Sequence, residues 1–180
     1  MIFYYILLGI IGIGGLVYLF FATRDLIRIS IPTFAGGGIY VGTPVEAIPT
    51  MIELAKIRPD DLVMDLGSGD GRLLIAAAKA GAKKSIGYEI QHWLVKQSRE
   101  LVESEHLSHK IEIHPDSFWH VDVSNTNLVL LYQISYAMKG IEEKLQKELP
   151  IGARVVANGF KFPKWKESRT IDNVRLYIKT

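Results

Sequence analysis

The chain contains no cysteine, which excludes disulfides and thiolate metal sites. Its five histidines, His92, His106, His109, His114 and His120, form no HExxH or other ligand spacing, so they read as surface or supporting residues and no metal is expected. Excess charge of one sign is missing as well: 21 Lys and Arg stand against 19 Asp and Glu, a net charge of +2. The basic residues are scattered, with no arginine-rich stripe and no aromatic-interleaved patch, so nucleic acid is not an expected partner. The G-x-G-x-x-G of a dinucleotide loop is absent too. What the chain does have is apolar: 48% of its 180 residues are hydrophobic, enough for one domain with a sizeable core.

The stretch Val63-Met-Asp-Leu-Gly-Ser-Gly-Asp-Gly-Arg72 organises the rest. Leu62 to Met64 is a short apolar run that reads as a buried strand. Asp65 follows, then Gly67, Gly69 and Gly71 at alternate positions, then a helix-like run from Arg72 to Lys79. Strand, glycine turn and helix in this order make the nucleotide loop of open α/β sheets. Glycine serves there because a ligand can approach bare backbone and positive φ costs little. An acid ahead of the first glycine suits a ligand with a cationic amino-acid end better than a diphosphate. In this D-x-G-x-G-x-G pattern the chain resembles the class I S-adenosylmethionine-dependent methyltransferases, and the resemblance implies S-adenosyl-L-methionine as cofactor.

Ile2 to Ala22 is an uncharged run of 21 residues. At about 1.5 Å per residue it is long enough to cross a hydrocarbon core of about 30 Å. Tyr4 and Tyr5 at one end, and Tyr18, Phe20 and Phe21 at the other, resemble interfacial aromatic belts. No basic n-region or small-residue cleavage site marks it as a secretory signal. Arg24 and Arg28 follow it, while no Lys or Arg precedes it. Residues 1–29 are therefore expected to form a single-pass transmembrane anchor with a basic flank, leaving the rest on the cytoplasmic (or matrix) side. Residues 30–42, with Pro32 and Gly36-Gly37-Gly38, read as a linker, and residues 43–180 as the folded domain.

Thr43-Pro44-Val45-Glu46 reads as a capping box opening a helix, which Pro49 is expected to kink. Beyond the glycine loop and its helix, Ser85 to Glu89 reads as a strand ending on an acid. Glu89 lies 18 residues after Gly71, near the place of the ribose-binding acid in nucleotide folds. Gln91 to Glu105 is an amphipathic helix, and Ile111 to His114 a strand running into Pro115-Asp116-Ser117. Leu128 to Tyr132 is a continuous apolar strand, as in a sheet covered on both faces. Lys139 to Leu149 reads as a helix, Ala153 to Phe160 as a strand, and Ser168 to Lys179 as a hairpin turning at Asp172-Asn173. The alternation predicts an α/β, Rossmann-like sheet, mostly parallel with an antiparallel end. Too few residues follow Phe160 for a helix before the last two strands.

A closer resemblance is carried by several segments. They are Tyr40-Val41-x-Thr43-Pro44, Asp65 to Arg72, Gly87-Tyr88-Glu89 with Trp93-Leu94-Val95, and Asp116-x-Phe118-Trp119-x-Val121-Asp122. Glu142-Glu-Lys-Leu145, Leu149-Pro-x-Gly-Ala-Arg-Val-Val156 and Phe160-x-Phe162-Pro163-x-Trp165 join them. From about residue 40 to 166 the chain resembles the membrane-anchored lysine methyltransferases that modify the ATP synthase c-subunit and the adenine nucleotide translocase, together with their prokaryotic relatives. The resemblance implies that Asp65, Gly67, Ser68, Gly69, Gly71, Glu89, Asp116 and Ser117 bind the cofactor, with Asp116 directed to the adenine amino group. Tyr40, Thr43, Trp119, Tyr132, Gln133, Phe162, Pro163 and Trp165 are candidates to line the acceptor pocket, and no residue is marked as a base. The chain departs from the family at Gly42, where proline is usual, and at Tyr132-Gln133-Ile134-Ser135, which replaces a more apolar segment containing a proline. The implied function is protein-lysine N-methylation of a membrane protein. A methyltransferase of a membrane-associated lipid or quinone is the alternative, and intact Asp65, Glu89 and Asp116 argue against a cofactor-binding protein without activity.

Overall fold

A computed structural model describes Met1, residues 12–23 and residues 40–180. It divides into two compact units, Met1–Ile39 and Tyr40–Thr180. In the first, residues 12–23 are helical (α1), and the Thr23 hydroxyl donates back to the Leu19 carbonyl at 2.8 Å. Among the described residues no helix is long and apolar enough to cross a membrane. The described stretch, about 18 Å long at helical rise, falls short of a hydrocarbon core of about 30 Å. The other half of the span expected over residues 2–22, Arg24 and Arg28, and the linker up to Ile39 lie outside the described residues.

The second unit is built on seven strands: β1 (Leu62–Leu66), β2 (Lys84–Tyr88), β3 (Ile111–His114), β4 (Leu128–Leu131), β5 (Arg154–Asn158), β6 (Arg169–Ile171) and β7 (Val174–Ile178). Its helices are α2 (Ala47–Ala55), α3 (Arg72–Lys79), α4 (His92–Ser104) and α5 (Met138–Glu148). The strands form one sheet in the order β3-β2-β1-β4-β5-β7-β6, parallel from β3 to β5, with β7 antiparallel to both β5 and β6.

Side-chain alternation explains why β4 is apolar throughout and why the apolar residues of its neighbours β1 and β5 lie on both faces of the sheet. Val63, Leu128, Leu130 and Val156 face one layer with Met51 and Leu54 of α2 and Leu73 of α3. Met64, Leu66, Val129, Leu131, Val155 and Ala157 face the other, with Met138, Ile141 and Leu145 of α5. Each leucine so buried contributes about 1.5–3 kcal/mol, more than the roughly 1 kcal/mol of an N-cap. Packing therefore decides where α2 starts. It begins at Ala47 with no capping side chain, so the expected capping box at Thr43 does not form. Pro49 falls in the first turn, where its missing amide has no helical partner to lose, and it introduces no break. No helix intervenes between β5 and β6, in agreement with the sequence reading, and the β6–β7 hairpin turns on Asp172, whose φ is 51°.

Register brings the carboxyl ends of the parallel strands side by side: Leu66 pairs with Tyr88, Tyr88 with His114, and Leu131 with Ala157. Strand order reverses between β1 and β4, which opens the crevice where ligands bind in doubly wound sheets.

Candidate functional site

The glycine loop leaves β1 directly above that crevice. The amides of Gly67 and Ser68 donate to the Tyr88 carbonyl at 2.9 and 3.0 Å, folding the loop across the end of β2. Gly67 and Gly69 have φ of 89° and 55°, a region that favours glycine. A Cβ at Gly67 would overlap the Gln133 amide, and one at Gly69 would sit 2.5 Å from the Tyr40 ring. The loop is thus bare backbone pressed between two side chains.

Three acids surround it differently. Asp65 is 2% exposed, and among the described residues nothing donates to its carboxylate or pairs with it. Burial, then the charges of Glu89 and Asp70, push its pKa up to about 8. Glu89 is 6% exposed but hydrogen-bonded. Its Oε2 accepts from Gly69 N–H at 3.0 Å and its Oε1 from Gln91 N–H at 2.8 Å, so the carboxylate joins the loop to the start of α4. Burial raises its pKa and those amides pull it partly back, leaving it above the usual range. Asp70 is held below that range: burial works against it, but the hydrogen bonds and charge of Arg72 prevail.

The Asp70–Arg72 pair has a second purpose. Arg72 Nε lies 2.9 Å from both Asp70 oxygens, while its Nη1 donates to the Thr43 carbonyl at 2.8 Å. This pins the segment before α2 onto the loop. Tyr40 covers Gly69 and meets Trp93 edge-on, ring centres 5.9 Å apart. Its phenol pKa is raised by burial and by the charge of Asp70. Tyr40, Thr43, Asp65, Gly67, Ser68, Gly69 and Tyr132 close round a cavity of about 20 Å³, room for one water. Among the described residues, the Ser68 hydroxyl, buried against Gly87, has no hydrogen-bond partner.

Gln133, just past β4, donates Nε2 to the Leu66 carbonyl at 2.7 Å, which leaves its amide oxygen as an acceptor beside the loop. Asp116 and Ser117 follow β3. Asp116 is exposed, and after burial its charge is the next cause of the raised Tyr88 phenol pKa. The remaining aromatic candidates are not gathered at the loop. Trp119 lies against Phe118, 4.7 Å between ring centres, and over Gly140 of α5. Phe162 and Trp165 are buried against Tyr177 at 4.8 and 5.6 Å, and Pro163 is exposed beside them. Sequence reasoning passed over Asp70, Arg72 and Trp93. The acid–base pair two residues apart within the glycine loop was visible, but its partner at Thr43 is 29 residues away.

Among the described residues no group of His, Cys, Asp or Glu is placed to hold a metal ion. The donor set suits a different ligand. A buried carboxylate without a counter-charge is satisfied by a cationic amine, and a second carboxylate anchored from behind keeps lone pairs for hydroxyl groups.

Residues 65–169 match the family described as ANTKMT methyltransferase domain. The chain is 35% identical over 133 residues to a protein-lysine N-methyltransferase of Saccharolobus islandicus, covering 73% of this chain and 83% of that protein. It is 35% identical over 162 residues to the ATP synthase c-subunit lysine N-methyltransferase of Xenopus laevis, covering 87% of this chain and 67% of that one. Among solved structures, an RNA methyltransferase from Salinibacter ruber in complex with S-adenosyl-L-homocysteine superposes with a TM-score of 0.72 at 32% identity. That likeness covers 77% of this chain and 92% of the other.

Proposed function

The chain belongs to the ANTKMT methyltransferase domain family, with the class I fold and S-adenosylmethionine as cofactor, and from that premise we propose that it methylates a lysine side chain of a membrane protein. The observation that carries this reading is the buried, uncompensated Asp65 at the switch point, in a chain whose relatives are named lysine N-methyltransferases.

In this proposal Asp65 receives the amino group of the cofactor, and the loop from Gly67 through Ser68 and Gly69 to Gly71 lies along its amino-acid end. Glu89 takes the ribose hydroxyls, and Asp116 with Ser117 flanks the adenine. The cofactor supplies a methyl group already activated by its sulfonium. The chain's own residues then have to hold an amine in line and keep water out. A lysine must first lose a proton, which from a reference pKa near 10.4 costs about 4.6 kcal/mol at pH 7. Aromatic walls from Tyr40 and Tyr132 lower that cost by taking the amine out of water. The Gln133 oxygen is a neutral acceptor able to orient the amine without stabilising its charge as a carboxylate would.

Residues 1–29 serve as the membrane segment, residues 30–42 as a linker, and residues 43–180 as the catalytic domain on the cytoplasmic or matrix side. Tethering of this kind raises the effective concentration of acceptors at the bilayer. The test is to incubate the protein with methyl-labelled cofactor and membranes, then digest and sequence the labelled material. Label on a lysine of a membrane protein is the expected result. Label that extracts with lipid or quinone, or that runs with RNA, overturns it.

A further inference from the structure

We propose that Arg72 binds the carboxylate of the cofactor's amino-acid end, so that this end is held between two side chains of opposite charge, Asp65 on the amine and Arg72 on the carboxylate. The proposal rests on the placement of the amino group at Asp65. The small cavity between the glycine loop and the segment before α2 is lined by the carboxyl groups of both Asp65 and Asp70, with Glu89 behind the loop at Gly69. An amino-acid end brings a carboxylate along with its amine. A further anion in such an acidic cavity needs a cation beside it, because an uncompensated buried charge is costly. Among the described residues Arg72 is the one cation that lines the cavity.

Its guanidinium has donors to spare. Of the five N–H groups, Nε donates to Asp70 at 2.9 Å, Nη2 to Asp70 Oδ2 at 2.5 Å, and Nη1 to the Thr43 carbonyl at 2.8 Å. One N–H remains on each terminal nitrogen, a pair able to meet both oxygens of a carboxylate. The Tyr40 phenol interacts with Arg72 and Asp70, and as a neutral group it yields to an anion. Bare backbone flanks the guanidinium as well: a Cβ at Gly42 would come within 3.2 Å of its Cζ and Nη2. α3 begins at Arg72 with no side-chain cap, and Leu73 lines the cavity, so the positive pole of the helix lies at the same wall. The Asp70 pair thus fixes the side chain without exhausting it. At about 20 Å³ the cavity has room for one water, so the Tyr40–Thr43 segment has to move outward as the carboxylate arrives.

The experiment is calorimetry of the full-length protein, with no acceptor present, against S-adenosylmethionine and decarboxylated S-adenosylmethionine. The second ligand keeps the nucleoside, the sulfonium and the amine. Gross charge favours it, since it carries one more net positive charge into an acidic site. Wild type should nonetheless bind S-adenosylmethionine tighter, on the order of tenfold or more, as a charge-assisted pair requires. Arg72→Met should erase that preference through a loss of S-adenosylmethionine affinity alone. Arg72→Lys keeps the charge without the fork and should retain only part of it. If Arg72 merely holds Asp70 and Thr43 in place, both ligands weaken by the same factor and the preference survives, which overturns the proposal. Should Arg72→Met fail to fold, an undiminished preference in Arg72→Lys overturns it equally. Methylthioadenosine separates the proposal from its premise. Wild type that binds the two sulfonium ligands alike, with methylthioadenosine weaker, removes the role of Arg72 alone. Equal affinity for all three removes the amino-acid end from the cavity and the placement at Asp65 with it.

Discussion

Replacing Asp65 with Asn removes a buried charge while keeping the size of the side chain, and the pH dependence of cofactor binding then separates electrostatics from packing. With a pKa of about 8, the carboxylate is ionised in about a tenth of the cofactor-free molecules at pH 7. A cationic amine binds the ionised form, so affinity at pH 7 lies about tenfold, or roughly 1.4 kcal/mol, below its alkaline limit. Binding at pH 7 should therefore release close to one proton, measured by calorimetry in buffers of different ionisation enthalpy. The amino group of the cofactor titrates in the same range, and the ratio of variant to wild-type Kd cancels that contribution. A charge-assisted hydrogen bond is worth about 1.5–3 kcal/mol, so the ratio should reach at least tenfold near pH 9 and shrink toward unity near pH 6. Methylthioadenosine, which lacks the amino-acid end, should bind both proteins alike at every pH. A ratio that stays constant from pH 6 to 9 would refute the assignment of Asp65 to the amino group.

The same carboxylate governs stability with the opposite sign. Its pKa is raised on folding, so the stability it contributes is present at pH below about 4 and is lost as pH rises to about 8. The cofactor-free protein should unfold at lower urea at pH 8 than at pH 5, and Asp65→Asn should flatten that difference. Gly67→Ala must place a Cβ at φ 89° and against the Gln133 amide. A loss of about 1–2 kcal/mol is expected from the backbone alone, and Gln133→Ala should restore only the steric part, as a double-mutant cycle in urea would measure. Arg154 Nη2 donates to Asp61 at 2.5 Å, and its Nη1 donates to the carbonyls of Ala55 and Lys56. Arg154→Met leaves Asp61 charged at 2% exposure and should cost about 3–5 kcal/mol, much of it recovered by adding Asp61→Asn.

Much of the fold was legible because it is written in short-range signals. The glycine loop follows an apolar strand, and β4 is four apolar residues buried on both faces, so periodicity and turn chemistry agreed with the final topology. The start of α2 was misread because a capping box is a local signal, and burial of Met51 and Leu54 outweighed it. Thr43 was freed from the helix and its carbonyl went to Arg72 instead, a contact no window of neighbouring residues contains. For the site, the alternate glycines and the three acids, Asp65 within the end of β1 and Glu89 and Asp116 just past β2 and β3, come together at one edge of the sheet. The aromatic candidates were harder. Phe162 and Trp165 turn inward because the buried Glu142 carboxylate takes the amides of the loop that carries them, and Tyr177 lies 15 residues from Phe162 in sequence.

The missing helix between β5 and β6 has an evolutionary consequence. Ten residues, 159–168, cross from one strand to the next, held at one stretch by Glu142 and by the rings of Phe162 and Trp165 on Tyr177. Gly159 is tied to the hairpin by its amide on the Asn173 carbonyl and by its carbonyl on Arg175, and Phe160 and Lys161 lie between it and those anchors. The exposed side chains of Phe160 and Lys161 can therefore drift without disturbing the sheet, the cofactor loop or the hairpin. A lineage could reshape that stretch of surface by editing a handful of codons, while the rest of the scaffold stayed as it was.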